Sequence, residues 1–363
     1  MYFVQDIRMK IKLLGKNLDD LKQVVAEEGL PGFTARQIAQ WLYVKKVRSI
    51  DEMTNLSKVA RARLAEKYVV GLSEYAELQI SSDGTKKYLF PVRCSHKRGL
   101  NVRDEESNLE AGAVEAVMIP DDDRATLCVS SQSGCRMGCR FCMTGRQGFH
   151  GHLSAAEIIS QFIAVDESDR LTNAVFMGMG EPLDNYDNVM RAIEILTADW
   201  GFAWSPKRIT VSTIGVLPNL KRYLDECRCH LAVSLHNPFA PERLEMMPVQ
   251  GAWPIQEVIN LIKQYDFTGQ RRVSFEYTMF AGHNDTKVHA DALFRMLKGL
   301  ECRVNLIRFH KIPDFPYDTS PDNIIENFKN RLNNLGLTTT IRASRGEDIL
   351  AACGMLAGQH KQS

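Results

Sequence analysis

Apolar positions change period along the chain. Near the N-terminus Ile38, Trp41 and Leu42 share one face at helical spacing. Thr34-Ala-Arg-Gln37 ahead of them matches a capping box, with Phe33 and Ile38 placed as the hydrophobic staple across it. A second helix is predicted from Ser57 to Lys67. Between Ala76 and Val92 the period drops to two, where Leu78, Ile80, Tyr88 and Phe90 flank Asp83-Gly84, a strong hairpin signal. The polar stretch from Arg93 to Ala111 reads as a loop. From Ala125 onward short apolar runs alternate with helical ones. Strands are expected at Thr126–Ser130, Ala174–Gly178, Ile209–Thr213, His230–Leu235, Val273–Met279, Arg303–Ile307 and Thr338–Ile341. Of the helices between them, one opens with the capping box Ser154-Ala-Ala-Glu157 and another has Pro254 near its first turn. Repeated βα units imply a parallel sheet, open or closed into a barrel, with the chemistry on loops at the C-terminal strand ends.

Composition fits this pattern. The 363 residues are 44% hydrophobic and 25% charged, enough to bury a core and to exclude the disordered class. No stretch free of Asp, Glu, Lys and Arg approaches the roughly 18 residues that span a bilayer, so no integral membrane protein is expected. Asp6, Arg8, Lys10, Lys12 and Lys16 leave no apolar centre for a secretory signal, and the expected location is cytoplasmic. In a reducing compartment nine cysteines point to metal ligands or catalytic thiols rather than disulfides. The net charge of +1 hides opposing segments. Thr34 to Lys67 holds eight basic residues against three acids, and Asn101 to Asp123 holds eight acids and only Arg103. The basic module can attract phosphates even though the whole chain is neutral; solvated helix faces account for the same charges equally simply.

The most informative stretch is Cys128-Val-Ser-Ser-Gln-Ser-Gly-Cys135-Arg-Met-Gly-Cys139-Arg-Phe-Cys142. The C-x3-C-x2-C spacing lets three thiolates converge, and thiolates suit zinc or an iron–sulfur cluster. A structural zinc wants four ligands, and Cys128 could supply the fourth, so spacing alone leaves both open. A cubane held by three cysteines leaves one iron free for a substrate. Gly178-Met179-Gly180-Glu181-Pro182 follows the second expected strand. Its glycines permit close backbone approach, and its carboxylate can accept from an ammonium. From the residues alone, Cys128 and Cys353 read as small buried hydrophobes and Glu115 as a solvated strand residue.

The C-x3-C-x2-C run with Phe141 before its last cysteine resembles the radical S-adenosylmethionine (SAM) superfamily. Further motifs resemble the RlmN/Cfr adenine methyltransferases of RNA over nearly the whole chain: Arg124-Ala-Thr-Leu-Cys128, Met177-Gly-Met-Gly-Glu-Pro182, Ser212-Thr-Ile-Gly215, Ser234-Leu-His236, Val304-Asn-Leu-Ile307 and Asp348-Ile-Leu-Ala-Ala-Cys353-Gly. Phe33-Thr-Ala-Arg-Gln37 and Asp51-Glu-Met53 look more like the RlmN branch. Two departures stand out: a longer acidic loop between Arg93 and Ala111, and Met355 where the family usually has Gln. The resemblance implies an α/β fold, a partial (β/α)6 radical SAM barrel over 125–345. A helical RNA-binding accessory domain (1–72) and a short β extension (73–124) precede it, and a C-terminal segment (346–363) carries a methyl-carrier cysteine.

The resemblance also implies the chemistry. Cys135, Cys139 and Cys142 would hold one [4Fe-4S] cluster, and Gly180, Glu181, Ser212, Ser234, Leu235, His236 and Asn305 would bind SAM, with His236 acting through its backbone or its ring. Two SAM molecules would be used per turnover. One methylates Cys353, and the other is reductively cleaved to a 5′-deoxyadenosyl radical that takes hydrogen from the Cys353 methyl group. The resulting methylene radical adds to adenine C2. The adduct then loses the C2 proton, and Cys128 attacks Cys353 to form a transient disulfide. Glu115, in Ala113-Val-Glu-Ala-Val117, matches the proton acceptor, with Cys128 its rival. Implied partners are 23S rRNA near the peptidyl transferase centre, tRNA next to the anticodon, and an electron donor such as flavodoxin or ferredoxin; a monomer is expected. Cys94, Cys227, Cys229 and Cys302 are left structural. Competing readings are Cfr-like methylation at C8 and a zinc-stabilised RNA-binding protein without catalysis.

Overall fold

The period-two segments assemble into one ten-stranded sheet whose strand order follows the chain. The structure is a computed structural model and describes residues 10–94, 110–269 and 271–358. Strands β1 (Glu77–Ile80), β2 (Lys86–Cys94) and β3 (Glu110–Asp121) are antiparallel, and β3 pairs antiparallel with β4 (Arg124–Cys128). From β4 on every pairing is parallel: β5 (Asn173–Phe176), β6 (Ile209–Thr213), β7 (His230–Ser234), β8 (Val273–Met279), β9 (Arg303–Arg308) and β10 (Thr339–Ile341). Parallel neighbours need long crossovers, and each crossover here contains helix. The expected βα alternation and α/β class are therefore present, and the parallel part has seven strands.

Alternation within the strands sets which side chains face inward. In β8, Phe275 and Tyr277 are fully buried, and Tyr277 stacks on Phe328 of the helix Asp322–Asn334, with ring centroids 5.4 Å apart. That face packs on helices, so Ser274, Glu276 and Thr278 turn the other way. The sheet curls around this inner face: Arg342, just past β10, brings Nη1 to 3.1 Å from Sδ of Met177, just past β5, although four strands lie between β5 and β10 in the sheet order. The C-terminal segment closes onto the β1–β2 turn. Asp348 accepts from the Ser81 hydroxyl and the Ser82 N–H, and Asp83 accepts from the Gly346 N–H at 3.1 Å.

Helices α1 (Leu18–Glu27), α2 (Thr34–Ala39) and α3 (Lys58–Lys67) precede the sheet and bury Leu21, Val24, Ile38 and Leu64. Ser57 caps α3 by accepting from the Ala60 N–H. The capping box expected at Thr34 does not form. Pro31-Gly32 already starts a helical turn, so the Thr34 and Ala35 N–H groups donate to the Pro31 and Gly32 carbonyls. Thr34 is buried inside the helix, and Phe33 is 68% exposed, so there is no staple. Ser154 does form its box with Glu157, at the start of helix α4 (Ala155–Ala164). Ile80 is exposed. Arg93, Cys94, Glu110 and Ala111, expected in a loop, are ladder residues because β2 and β3 pair out to Cys94 and Glu110. The rest of the acidic loop, 95–109, lies outside the described residues.

Candidate functional site

Cys128 closes β4, two residues earlier than the expected end of that strand. Val129 still donates to the Val175 carbonyl, and from Ser130 side chains replace ladder bonds: the Ser130 N–H donates to Gln161 Oε1, and the Ser130 hydroxyl donates to the Glu115 carbonyl. The chain then forms a two-stranded arm, Gln132–Gly134 with Phe149–His152, whose tip carries Cys135, Cys139 and Cys142. The Cys135 N–H donates to the Gly148 carbonyl, and the Arg140 N–H to that of Met246. Phe141 meets His236 edge-on at 5.0 Å and Phe280 at 5.4 Å, seating the loop over the ends of β7 and β8.

Burial pushes all three thiols up, Cys139 to about 12, and Cys135 and Cys139 also feel their neighbouring thiols. Among the described residues no three His, Cys, Asp or Glu side chains are gathered closely enough for a single ion. A cubane binds each thiolate to a different iron, and three soft thiolates on one loop fit it. Iron would hold these sulfurs as thiolates despite their burial.

The glycine-rich motif is locked beside this arm. Gly180 has φ of +98°, and a Cβ there would meet the Gln132 side chain at 2.5 Å, so only glycine fits. Gln132 Oε1 accepts from the Glu181 N–H at 2.8 Å, and its Nε2 donates to Asp184. Glu181 is buried; its carboxylate accepts from the Leu183 N–H at 3.0 Å and the Ile214 N–H at 2.9 Å. Burial outweighs these bonds and raises the carboxyl to about 7.

Three of the expected SAM residues share the inner face of the sheet. The ladder pairs Ser234 with Glu276, Glu276 with Asn305 and Asn305 with Thr340, forming one polar row across β7 to β10. Ser212 lies on the same face of β6, between the buried outward residues Val211 and Thr213. Leu235 is buried; its N–H donates to the Glu276 carbonyl and its carbonyl accepts from Arg243. His236 has φ of +57°, and its Nδ1 accepts from the Thr278 N–H at 3.0 Å, so its ring is a structural acceptor. Burial lowers the His236 pKa to about 3.

Glu276 and Arg243 went unnoticed in the sequence. Glu276 Oε1 accepts from Asn305 Nδ2 at 2.8 Å and from the Ser274 hydroxyl at 3.0 Å. Its buried Oε2 has no hydrogen bond and lies 3.9 Å from Arg342 Nη1. The signal available was one acid on the polar alternation Ser274, Glu276, Thr278 of a strand whose other face is apolar. Fully buried Arg243 donates from Nη2 to the Ser234 carbonyl and from Nε to the Leu235 carbonyl, both at 3.0 Å, fixing the Ser234–His236 turn.

The last described residues bring two more thiols to the same rim. Cys128 is buried, and burial pushes it up to about 12; the nearby Cys353 adds to the shift and Arg342 opposes it. Cys353 is exposed, unlike the buried residue its alanine neighbours suggest. Its segment is pinned to the cysteine loop: the Met143 N–H donates to the Gly354 carbonyl at 2.8 Å, the Thr144 hydroxyl to Leu356 at 2.7 Å and the Gln147 amide to Ala357 at 2.6 Å. Glu115 is buried, not solvated, and meets the same segment.

Comparisons with known proteins bear on the family and the fold. Residues 129–294 match the model of the radical SAM superfamily, and residues 11–70 match the ribosomal RNA large subunit methyltransferase N-terminal domain. The chain is 53% identical over 354 residues to a probable dual-specificity RNA methyltransferase RlmN of Porphyromonas gingivalis, covering 98% of this chain and 96% of that one. It is 39% identical over 354 residues to the dual-specificity RNA methyltransferase RlmN of Syntrophus aciditrophicus, covering 96% and 97%. A crystal structure of a radical SAM methyltransferase from Sphaerobacter thermophilus superposes with a TM-score of 0.86 at 37% identity, covering 96% of this chain and all of that one. The chain belongs to the RlmN family of radical SAM RNA methyltransferases.

Proposed function

We propose that this enzyme methylates C2 of an adenosine in 23S rRNA at the peptidyl transferase centre and of the adenosine next to the anticodon in tRNA. Cys353 carries the methyl group, Cys128 resolves the protein–RNA adduct through a transient disulfide, and Glu115 accepts the C2 proton. Cys135, Cys139 and Cys142 hold a [4Fe-4S] cluster, and the row at Ser212, Ser234, Leu235, His236 and Asn305, with Gly180 and Glu181, holds SAM. When bound, the reduced cluster and SAM supply a radical able to take hydrogen from a methyl group. Two SAM molecules serve each turnover, and flavodoxin or ferredoxin supplies the electron. Residues 1–72 grip RNA through phosphates as a monomer in the cytoplasm, while the target base is extruded toward the inner face. No helix among the described residues is long and apolar enough to cross a membrane.

One juxtaposition carries this reading: Cys353 is exposed and pinned to the cysteine loop, within electrostatic range of Cys128 and Arg342. A methyl carrier needs access to the radical source and to RNA, and a resolving thiol needs only to reach the carrier. Cys353→Ala is expected to abolish methyladenosine while SAM cleavage continues, and Cys128→Ala is expected to leave protein covalently bound to RNA. Normal methylation by either variant overturns the mechanism. Nucleoside mass spectrometry that finds 8-methyladenosine in place of 2-methyladenosine overturns the position.

A further inference from the structure

Lys87 and Glu115 lie on adjacent strands β2 and β3, where the ladder pairs Lys87 with Val117 and Leu89 with Glu115. The two side chains are therefore diagonal neighbours on one face. Both are buried, 8% and 4% exposed, with Nζ 3.1 Å from Glu115 Oε1. Burying two charges is costly and is offset only by close pairing and further hydrogen bonds. Here the remaining partners belong to the C-terminal segment. Glu115 Oε2 accepts from the Ala357 N–H at 2.7 Å and the Gly358 N–H at 3.1 Å, and Lys87 Nζ reaches the Leu350 carbonyl at 3.5 Å. Leu350 has φ of +54°, a left-handed conformation that a leucine holds only with support. The pair thus grips the segment three residues before Cys353 and four after it.

Every side-chain contact of Glu115 is a donor aimed at one of its oxygens, so both oxygens act as acceptors. Oε2 has two donors and no lone pair to spare, whereas Oε1 has one donor and keeps one lone pair. We propose that Lys87 is a positioning residue for the methyl transfer: it orients the Glu115 carboxylate with Oε1 as the accepting atom, and it fixes the Leu350 turn that sets Cys353. In the step served, the C2–H bond breaks, its proton goes to Oε1, and its electron pair stays with the adenine adduct. This inference rests on Glu115 being the proton acceptor and Cys353 the methyl carrier.

The test uses reconstituted holoenzyme with RNA carrying hydrogen or deuterium at the target C2. Four readouts are taken: 5′-deoxyadenosine, methylation of Cys353, covalent protein–RNA adduct and methyladenosine. Lys87→Met is expected to keep 5′-deoxyadenosine formation and Cys353 methylation, to lose methyladenosine by at least about tenfold, as loss of a positioned base does, and to accumulate adduct. Its residual product formation is expected to show a primary deuterium effect larger than that of the wild type, and Lys87→Arg is expected to restore most of the product. The double variant Lys87→Met/Glu115→Gln removes the unpaired buried charge and is expected to behave like Glu115→Gln alone, which keeps the inference testable if Lys87→Met folds poorly. Wild-type product, adduct level and isotope effect in Lys87→Met overturn the inference. So does a parallel fall of all four readouts in both Lys87 variants. Wild-type enzyme that makes product without methylated Cys353, or Glu115→Gln that turns over normally, overturns the underlying reading instead.

Discussion

His236 combines a left-handed backbone, a buried ring and an acceptor role for Nδ1 toward the Thr278 N–H. Its carbonyl accepts from Asn284 Nδ2 at 2.7 Å, so the strained turn is held from both sides. Acceptance at Nδ1 requires the neutral ring. Burial, with the Arg243 charge, lowers the ring's pKa from 6.5 to about 3. The unfolded chain therefore takes up a proton near pH 6.5 that the folded protein refuses until about pH 3. Stability from this group is complete above pH 6.5 and is lost as pH falls toward 3, by a few kcal/mol at about 1.4 kcal/mol per pKa unit. Asparagine tolerates the left-handed region and does not titrate. Urea unfolding across this pH range is expected to show a smaller loss of stability on acidification in His236→Asn than in the wild type. Identical pH dependence would refute the assignment. The fold of this residue serves the site directly, because the same turn presents the Ser234 and Leu235 backbone that Arg243 holds.

Two capping boxes with the same sequence logic have opposite fates. Ser154 follows extended backbone and accepts from the Glu157 N–H, with Glu157 reciprocating. Thr34 follows a turn that already supplies carbonyls to the first amides. Ser154→Ala is accordingly expected to cost about 1 kcal/mol in chemical denaturation, and shape-conserving Thr34→Val clearly less; equal losses would contradict this difference. The comparison shows what is legible along a chain. Period-two runs located β6 and β8 to the residue because one face of each packs on helices, and the cysteine spacing located the loop because three thiols in eight positions form a local pattern. Glu276, Lys87 and Arg342 were not legible, since each acquires its role from a neighbouring strand's register or from the returning C-terminal segment, and Arg243 acquires its role only when its helix folds back on the Ser234 and Leu235 carbonyls. The polar ends of β2 and β3 were missed for the same reason: antiparallel pairing, not side-chain pattern, makes Arg93 and Glu110 strand.

Charge on the scale of the whole molecule is less available than the sequence suggests. Of the eight basic residues between Thr34 and Lys67, six are engaged within the protein. Arg36 pairs with Asp199, Lys46 with Asp169, Arg48 with Glu74 and Lys67 with Glu28, while Arg61 and Arg63 donate to the Asp51 and Glu28 carbonyls. Arg36 and Lys46 reach across to the barrel, together with Asp20 to Arg191, so part of this charge orients the N-terminal helices on the sheet. Lys45 and Lys58 are exposed and make no such pair among the described residues. If residues 1–72 grip RNA phosphates, these two lysines contribute to the salt dependence first. Each phosphate contact adds about 0.7–0.9 to the slope of log affinity against log salt. Lys45→Ala/Lys58→Ala is expected to lower that slope by roughly 1.5, while Arg36→Ala lowers it less and loosens the N-terminal helices toward proteolysis. Filter binding of the RNA substrate between low and moderate salt checks this directly. An unchanged slope in the double variant would place the RNA on another face, leaving the N-terminal charges as the clamp between helices and barrel that Asp199 and Asp169 already make visible.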